Sequence, residues 1–384
     1  MTIASGSRVR LSYVAESTHG TTPGSPSMKT LRTTGRNINL VKNMLESQEV
    51  RASRQLRDLR HGFQQGSGEI PFELSLSAYD DFLAAALGGS WAAISTSGVN
   101  LSADGTANTF TRASGSFVSD GYRAGDIVVT AGFSNSENNG RFRLTGVSAT
   151  VLTVEETTPV TESAGSGKTV DLVGKRLDIG TTLTTFSVER AFLDLAQYQV
   201  FTGLAVNEFY LTLQPEQIVG GRFNVLAMAV AALSGSSLGS PSAAPTHDPF
   251  ASFDGVMYEG GTQTAIATGL EMTLNNGRSL NPVIGAKTSP DVFEGTAKIS
   301  GTLTAFFNSA TLLNKFVNET ASSLWFKLND LNGTDFMNIV LGRVKYAGGE
   351  INPPQEGPAP ISMPFRALED DNGTSISIQR SNAS

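Results

Sequence analysis

The chain has 384 residues, more than one ordinary core absorbs and about right for two or three modules. Its 40 glycines, its 16% charged residues and its runs of Thr, Ser, Val and Phe fit an all-β protein with many turns, and a mean hydropathy of −0.07 argues against disorder and membrane residence alike. The absence of cysteine excludes disulfides and thiolate metal sites, and a net charge of −7 makes nucleic acid a poor stable ligand.

The N-terminal run MTIASGSRVRLSYVAES has no apolar h-region, and the longest apolar stretch, Val225 to Leu233, falls far short of the roughly 20 residues of a spanning helix. No membrane partner and assembly in a reducing cytoplasm are therefore expected. The first strand signal in chain order is Thr34-Gly35 followed by Ile38 and Leu40 in alternation. Asn43 to Gly68 is polar and charged and reads as a long loop. A strand through Ile70, Leu74 and Ser75 leads to a short helix with Ser77 as its cap and Asp80 three residues on. The helix has an apolar face of Phe82, Leu83, Ala86 and Leu87, and Gly88-Gly89 ends it.

Residues 92–175 change character. They are rich in Ser, Thr, Gly and Asn, with strand-sized runs such as DIVVTA and VLTVEE between Asp104-Gly105 and Asn139-Gly140 turns. This reads as a small β domain inserted into a surface connection. A strand pattern resumes with TTLTTFSVERAF, and the Ser/Pro-rich stretch Leu233 to Pro249 reads as a linker.

Beyond the linker the first pattern returns. Thr268-Gly269 precedes Met272 and Leu274; Ile299, Leu303 and Thr304 match Ile70, Leu74 and Ser75; Ser309 caps a helix with Leu312, Leu313, Phe316 and Val317 on one face. Pro353 followed by Ile361, Met363, Phe365 and Ala367 matches Pro215 followed by Phe223, Val225, Ala227 and Ala229. The expected architecture is all-β with short helices. Two tandem β-sandwich modules, residues 1–91 with 176–232 and residues 251–384, each carry one flanking α-helix. An inserted domain occupies 92–175 and a linker 233–250.

Three segments carry a family resemblance: residues 16–91, with ESTHGTTPGSPSMKTLRTTGRNINL and GEIPFELSLSAYDDFLAAALGGSW; the run TLTTFSVERAFLDLAQYQVFTGLAVNEFYLTLQPEQIVGGRF; and GTLTAFFNSATLLNKFVNETASSLWFKLND with GRVKYAGGEINPPQEGPAPISMPFRAL. The chain resembles the major tail tube proteins of siphophages, the phages with long non-contractile tails. The resemblance implies a β-sandwich flanked by a short helix, similar in fold to the type VI secretion tube protein. It also implies rings stacked into a hollow tube within the virion tail, through which double-stranded DNA passes without specific binding. A tape-measure protein inside the tube, and tail terminator and tail tip proteins at its ends, are the partners it implies. Since family rings are usually sixfold, a doubled module points to trimeric rings with pseudo-sixfold symmetry.

The resemblance also bears on the charged stretch. Glu46, Glu49, Arg51, Arg54, Arg57, Asp58 and Arg60 mix signs at short spacing; family members use a long loop here to reach the neighbouring ring, so they form a candidate inter-ring contact arm. A solvated charged loop is the plainer alternative. The run GSGKT at Gly165 to Thr169 is not a phosphate loop, because Glu162 stands where its first glycine belongs and a strand follows. His19, His61 and His247 lack metal-ligand spacing, no G-x-S-x-G elbow occurs, and Asp80-Asp81 is explained by the helix dipole. No enzyme, cofactor or metal is expected. A tail-associated adhesin, a polysaccharide-degrading enzyme, a tail terminator and a secretion-system tube are the competing readings.

Overall fold

The computed structural model describes residues 3–382 apart from Arg51, Arg54, Leu56 and Arg57. Its first half contains strands β1 (Val9–Ala15), β2 (Lys29–Leu31), β3 (Asn37–Glu46) and β4 (Leu59–Glu73), then helix α1 (Asp80–Leu87). The inserted stretch holds β5 (Ser95–Thr96), β6 (Leu101–Asp104), β7 (Thr109–Arg112), the one-turn α2 (Phe117–Asp120), β8 (Ile127–Ala131), β9 (Gly140–Val147), β10 (Val151–Val154), β11 (Glu162–Gly165) and β12 (Thr169–Leu172). Then come β13 (Lys175–Asp178), β14 (Phe186–Phe192), β15 (Gln197–Leu213) and β16 (Gly220–Val230). The second half has β17 (Gly255–Glu259), β18 (Thr262–Thr264), β19 (Ala267–Asn275), β20 (Lys298–Phe306) and α3 (Thr311–Val317). It closes with β21 (Ser322–Asn329), β22 (Phe336–Tyr346), β23 (Glu350–Ile351), β24 (Pro360–Ala367) and β25 (Ser377–Arg380).

The chain is mostly β, with short helices and two antiparallel sheets. In the first half the ladder runs β2–β1–β14–β15–β16–β4–β3. In the second it runs β18–β17–β21–β22–β24–β20–β19, the same connectivity strand for strand. The first ladder packs closely on helix α1. Phe82 of α1 lies stacked 4.7 Å from Phe186 and 5.5 Å from Phe223, so both limbs of the first ladder meet on one helix. Such aromatic contacts add to the area the rings bury.

The register corrects two residue matches in the internal repeat. Gly68 stands opposite Ile38, and Gly301 opposite Met272. A Cβ on Gly68 would run into the Asn37 carbonyl, and one on Gly301 into the Glu271 carbonyl. These glycines mark the same backbone crossing, so Ile70 corresponds to Leu303 and not to Ile299. Phe223 faces Ile70 as Met363 faces Leu303, so the tail match moves from Ile361 to Met363. Both slips keep side chains on the expected face, because they are even-numbered.

Three local expectations also change. Helix α1 begins at Asp80 with Tyr79 in the cap position, while Ser77 sits at φ 58° and does not cap it. Helix α3 begins at Thr311 with Ala310 in the cap position, and Ser309 Oγ accepts from Thr311 N at 3.4 Å. The stretch 43–68 is largely a β-hairpin, paired out to Glu46 and Leu59, and not a loop. Its β3 limb is exposed on both faces from Asn43 to Glu46, so no alternation marked it in the sequence.

Strands β5–β12 form the second sheet, with a core of its own around Phe110, Phe117, Phe142 and Leu152. The stem leaving it, β13, pairs with β25 of the second half and with no strand of the first. The sheet also rests on the second half. Gly125 packs against Val340 and Trp325, and Tyr258 donates to Glu155 at 2.9 Å beneath the Arg143 guanidinium.

Candidate functional site

The features that bear on function are one sheet face and two sheet edges. Strand β15 is long enough to serve both layers: its first part pairs with β14, and Glu208–Leu213 pair with Asn275–Leu270 of β19. That ladder fuses the two halves edge to edge into one sheet, β3–β4–β16–β15–β19–β20–β24, with β22 and then β23 beyond. Residues directly opposite in such a ladder share a face. On one face Phe72, Phe209, Phe223, Met272, Leu303 and Phe365 are buried in the core.

The other face is polar. It carries Glu69, Glu73, Glu208, Glu271 and Glu350 against Arg222, Lys298, Lys345 and Arg366, with Asn, Ser and Thr between them. Some of its charges are engaged near the joint. The Arg222 guanidinium lies 4.1 Å over the Tyr210 ring and 3.8 Å from Glu69, and Glu208 accepts from both Asn224 and Asn275 across the joint. A surface whose charges nearly balance offers little to a phosphate backbone.

The edges at the two ends of this fused sheet are open. Among the described residues strand β3 pairs only with β4. Its outward Ile38 carbonyl accepts from Arg190 Nη1 at 2.8 Å, and burial holds that guanidinium below its ordinary pKa. A charged side chain laid along an edge is a common guard against unwanted pairing. At the other end β22 and β23 leave the run Gly348–Ile351 without a partner on its outer side among the described residues.

The helices mirror this difference. The last-turn carbonyls of α1 are covered by the second half: Asn276 Nδ2 donates to Ala86 O at 2.9 Å and Arg278 Nη1 to Ala85 O at 3.1 Å. Arg380 Nη2 pairs with Asp80 at its start at 2.7 Å. Helix α3 has no fully buried residue, Val317 is 66% exposed, and Phe306 and Phe307 beside it are about 40% exposed. Trp325 and Phe326, the other aromatic run, are buried.

The hairpin β3–β4 projects at one end of the sheet, exposing Met44 and Leu45 at about 60% each. Of the candidate arm residues, Glu46 ends β3 opposite Leu59, and Arg60 Nε pairs with Asp58 at 2.9 Å. Glu49 N donates to Ser47 Oγ at 3.4 Å in the connecting segment. Arg51, Arg54 and Arg57 lie outside the described residues. The structure thus gathers Glu46, Asp58 and Arg60 at the neck of the hairpin. The exposed apolar residues there escaped the sequence reading, which weighed only the charges.

Among the described residues no group of three or more His, Asp or Glu is placed to hold a metal, and no helix is long and apolar enough to cross a membrane. A fused all-β sheet with a helix in each half, one polar face and two open edges is the build of a subunit made to join copies of itself. The family model described as phage tail tube protein matches residues 6–367, nearly the whole chain and the inserted sheet with it. The chain belongs to the phage tail tube protein family. It is a structural component of the phage tail, assembling with its own copies into a tube. Comparison with curated protein sequences gives no match.

Proposed function

We propose that this tail tube protein forms trimeric rings with pseudo-sixfold symmetry, and that the rings stack into a conduit for genome ejection into the host. The observation that carries the reading is the β15–β19 joint. The two halves share one connectivity, so the joint inside the chain is a template for the joint between chains. Strand β15 corresponds to β22 with β23, and β19 to β3. The template therefore pairs Ile351 with Ile38 of the next subunit and Gly349 with its Leu40, displacing Arg190 from the edge. Repeating one heterologous contact by rotation closes a ring and removes every free inner edge.

In that ring the polar face lines the lumen, since the opposite face is filled by the cores. Its slight excess of carboxylates repels DNA weakly, so the genome slides past without binding. The inserted sheet lies over the second module, away from that face, and we take residues 1–91 with 176–232, 92–175 and 251–384 as its three domains, with a linker at 233–250. Hairpin β3–β4, with Glu46, Glu49, Asp58 and Arg60, together with Arg51, Arg54 and Arg57 between its strands in sequence, is the arm that reaches the neighbouring ring. A tape-measure protein within the tube, and terminator and tip proteins at its ends, complete the tail.

Image reconstruction of tubes assembled from the purified protein tests the reading. Three chains per ring, with two similar densities each, is the expected result; six chains per ring would overturn it.

A further inference from the structure

The template has a second part, away from the strand edges. In the second module a 3-10 turn at Ser252–Asp254, strand β17, the start of β19 and strand β21 form a groove. The β15–β16 turn of the first module, Leu213 to Glu216, closes one side of it, leaving a cavity of about 330 Å³. The first module has the same groove. A 3-10 turn at Gly6–Arg8 precedes β1, and Ser7, Val9, Arg10 and Leu11 stand where Phe253, Gly255, Val256 and Met257 stand in the second. Thr34 and Arg36 correspond in the same way to Thr268 and Leu270.

No β15–β16-type turn closes this first groove. Its chemistry is that of an unfilled seat: it is lined by Arg8, Arg10, Arg32 and Arg36 against the single carboxylate Glu73. Arg8 and Arg32 are engaged within the chain, by Asp194 and by the His247 carbonyl, and Arg36 Nη1 donates to Gly6 O at 3.2 Å. The Nε atoms of Arg10 and Arg36 are buried without a hydrogen-bond partner. A buried guanidinium donor left unpaired is costly, so an acceptor is missing.

Resting on the ring reading above, we infer that this groove is the seat for the loop between β23 and β24, Asn352 to Gly357, of the neighbouring subunit. That loop occupies in the second module the place of the β15–β16 turn in the first, and each four-residue stretch holds one Gln and ends on Glu: Leu213-Gln214-Pro215-Glu216 against Pro353-Pro354-Gln355-Glu356. Glu356 corresponds to Glu216, and it brings the carboxylate that Arg10 and Arg36 lack. A bidentate-capable arginine pair facing one carboxylate fixes orientation as well as affinity.

The chain has no cysteine, so an introduced pair reports without background. Thr34→Cys with Gln355→Cys, assembled into tubes and mildly oxidised, is expected to give dimer and closed trimer on a non-reducing gel, and neither single variant should. Species larger than trimer would place the contact between rings and overturn the proposal. Tubes that form normally but do not cross-link would overturn it while leaving the ring reading intact; failure of the cysteine-free parent to form rings would sink both. A charge swap gives a second reading: Glu356→Arg is expected to block assembly, and Arg10→Glu with Arg36→Glu to restore it.

Discussion

Gln379 holds the inserted sheet to the second module, and its replacement should show what that attachment is worth. The side chain is 1% exposed. Its Oε1 accepts from Ile127 N at 2.9 Å, and its Nε2 donates to Ile127 O at 2.7 Å and to Val173 O at 3.0 Å. Gln379→Leu keeps similar bulk and removes all three bonds. Ile127 O retains the Val173 N–H at 3.0 Å, so the groups left wholly without a partner are the Ile127 N–H and the Val173 carbonyl. At about 1–3 kcal/mol for each buried unsatisfied group, the loss should be about 2–6 kcal/mol. Trp325, 5% exposed beside Gly125 and Val340, reports on this seat, and Trp91→Phe makes it the sole tryptophan. In urea melts of that background, Gln379→Leu should bring an early fluorescence transition while far-UV circular dichroism stays largely native. A midpoint shift worth less than about 0.5 kcal/mol, the ordinary effect of a neutral surface change, would refute the reasoning.

Three further outcomes are expected. Gly68→Ala and Gly301→Ala each push a methyl into a strand carbonyl and should destabilise by about 1–3 kcal/mol or more in thermal melts; Gly140→Ala, with open space around its Cβ, should cost less. Glu69→Lys, Glu208→Lys and Glu271→Lys together turn the polar face basic, so assembled tubes should retain DNA at low salt and release it at high salt, where the parent retains none. Burial raises the Asp126 carboxyl to about 6 despite Arg176 at 2.7 Å. A raised folded value means the protonated form is the more stabilising one, so this contribution is full below about pH 4 and fades as pH rises through about 6. Asp126→Asn should remove that part of the stability–pH curve, measured as the difference between variant and parent at pH 4 and pH 7.

The sequence made the repeat, helices α1 and α3 and the all-β class legible because each rests on local signals. Alternation, the Gly88 stop and the polar composition of the inserted stretch are all short-range. The residue matching slipped where side-chain identity competed with backbone geometry: Ile70 resembles Ile299, but the glycine crossings at Gly68 and Gly301 fix the true register. The Asn43–Gly68 hairpin was hidden because its β3 limb has no buried face to impose an alternation. Nothing local could show that β13 leaves the first module to pair with β25, or that Gln379 and Trp325 form a seat for Gly125 and Ile127. Such contacts span long stretches of chain and depend on how two finished surfaces meet.

That crossing of β13 onto β25 has a mechanical consequence. Inside one chain two strand ladders join the modules, β15–β19 on the inner layer and β13–β25, beside the Asp80–Arg380 pair, on the outer. The second module has no counterpart of β13, since only residues 318–321 separate α3 from β21. Around a ring of such chains, stiff hinges would alternate with compliant ones. A tube built this way would yield at three seams per ring when it curves, and the modules on either side of each stiff hinge would move as one piece.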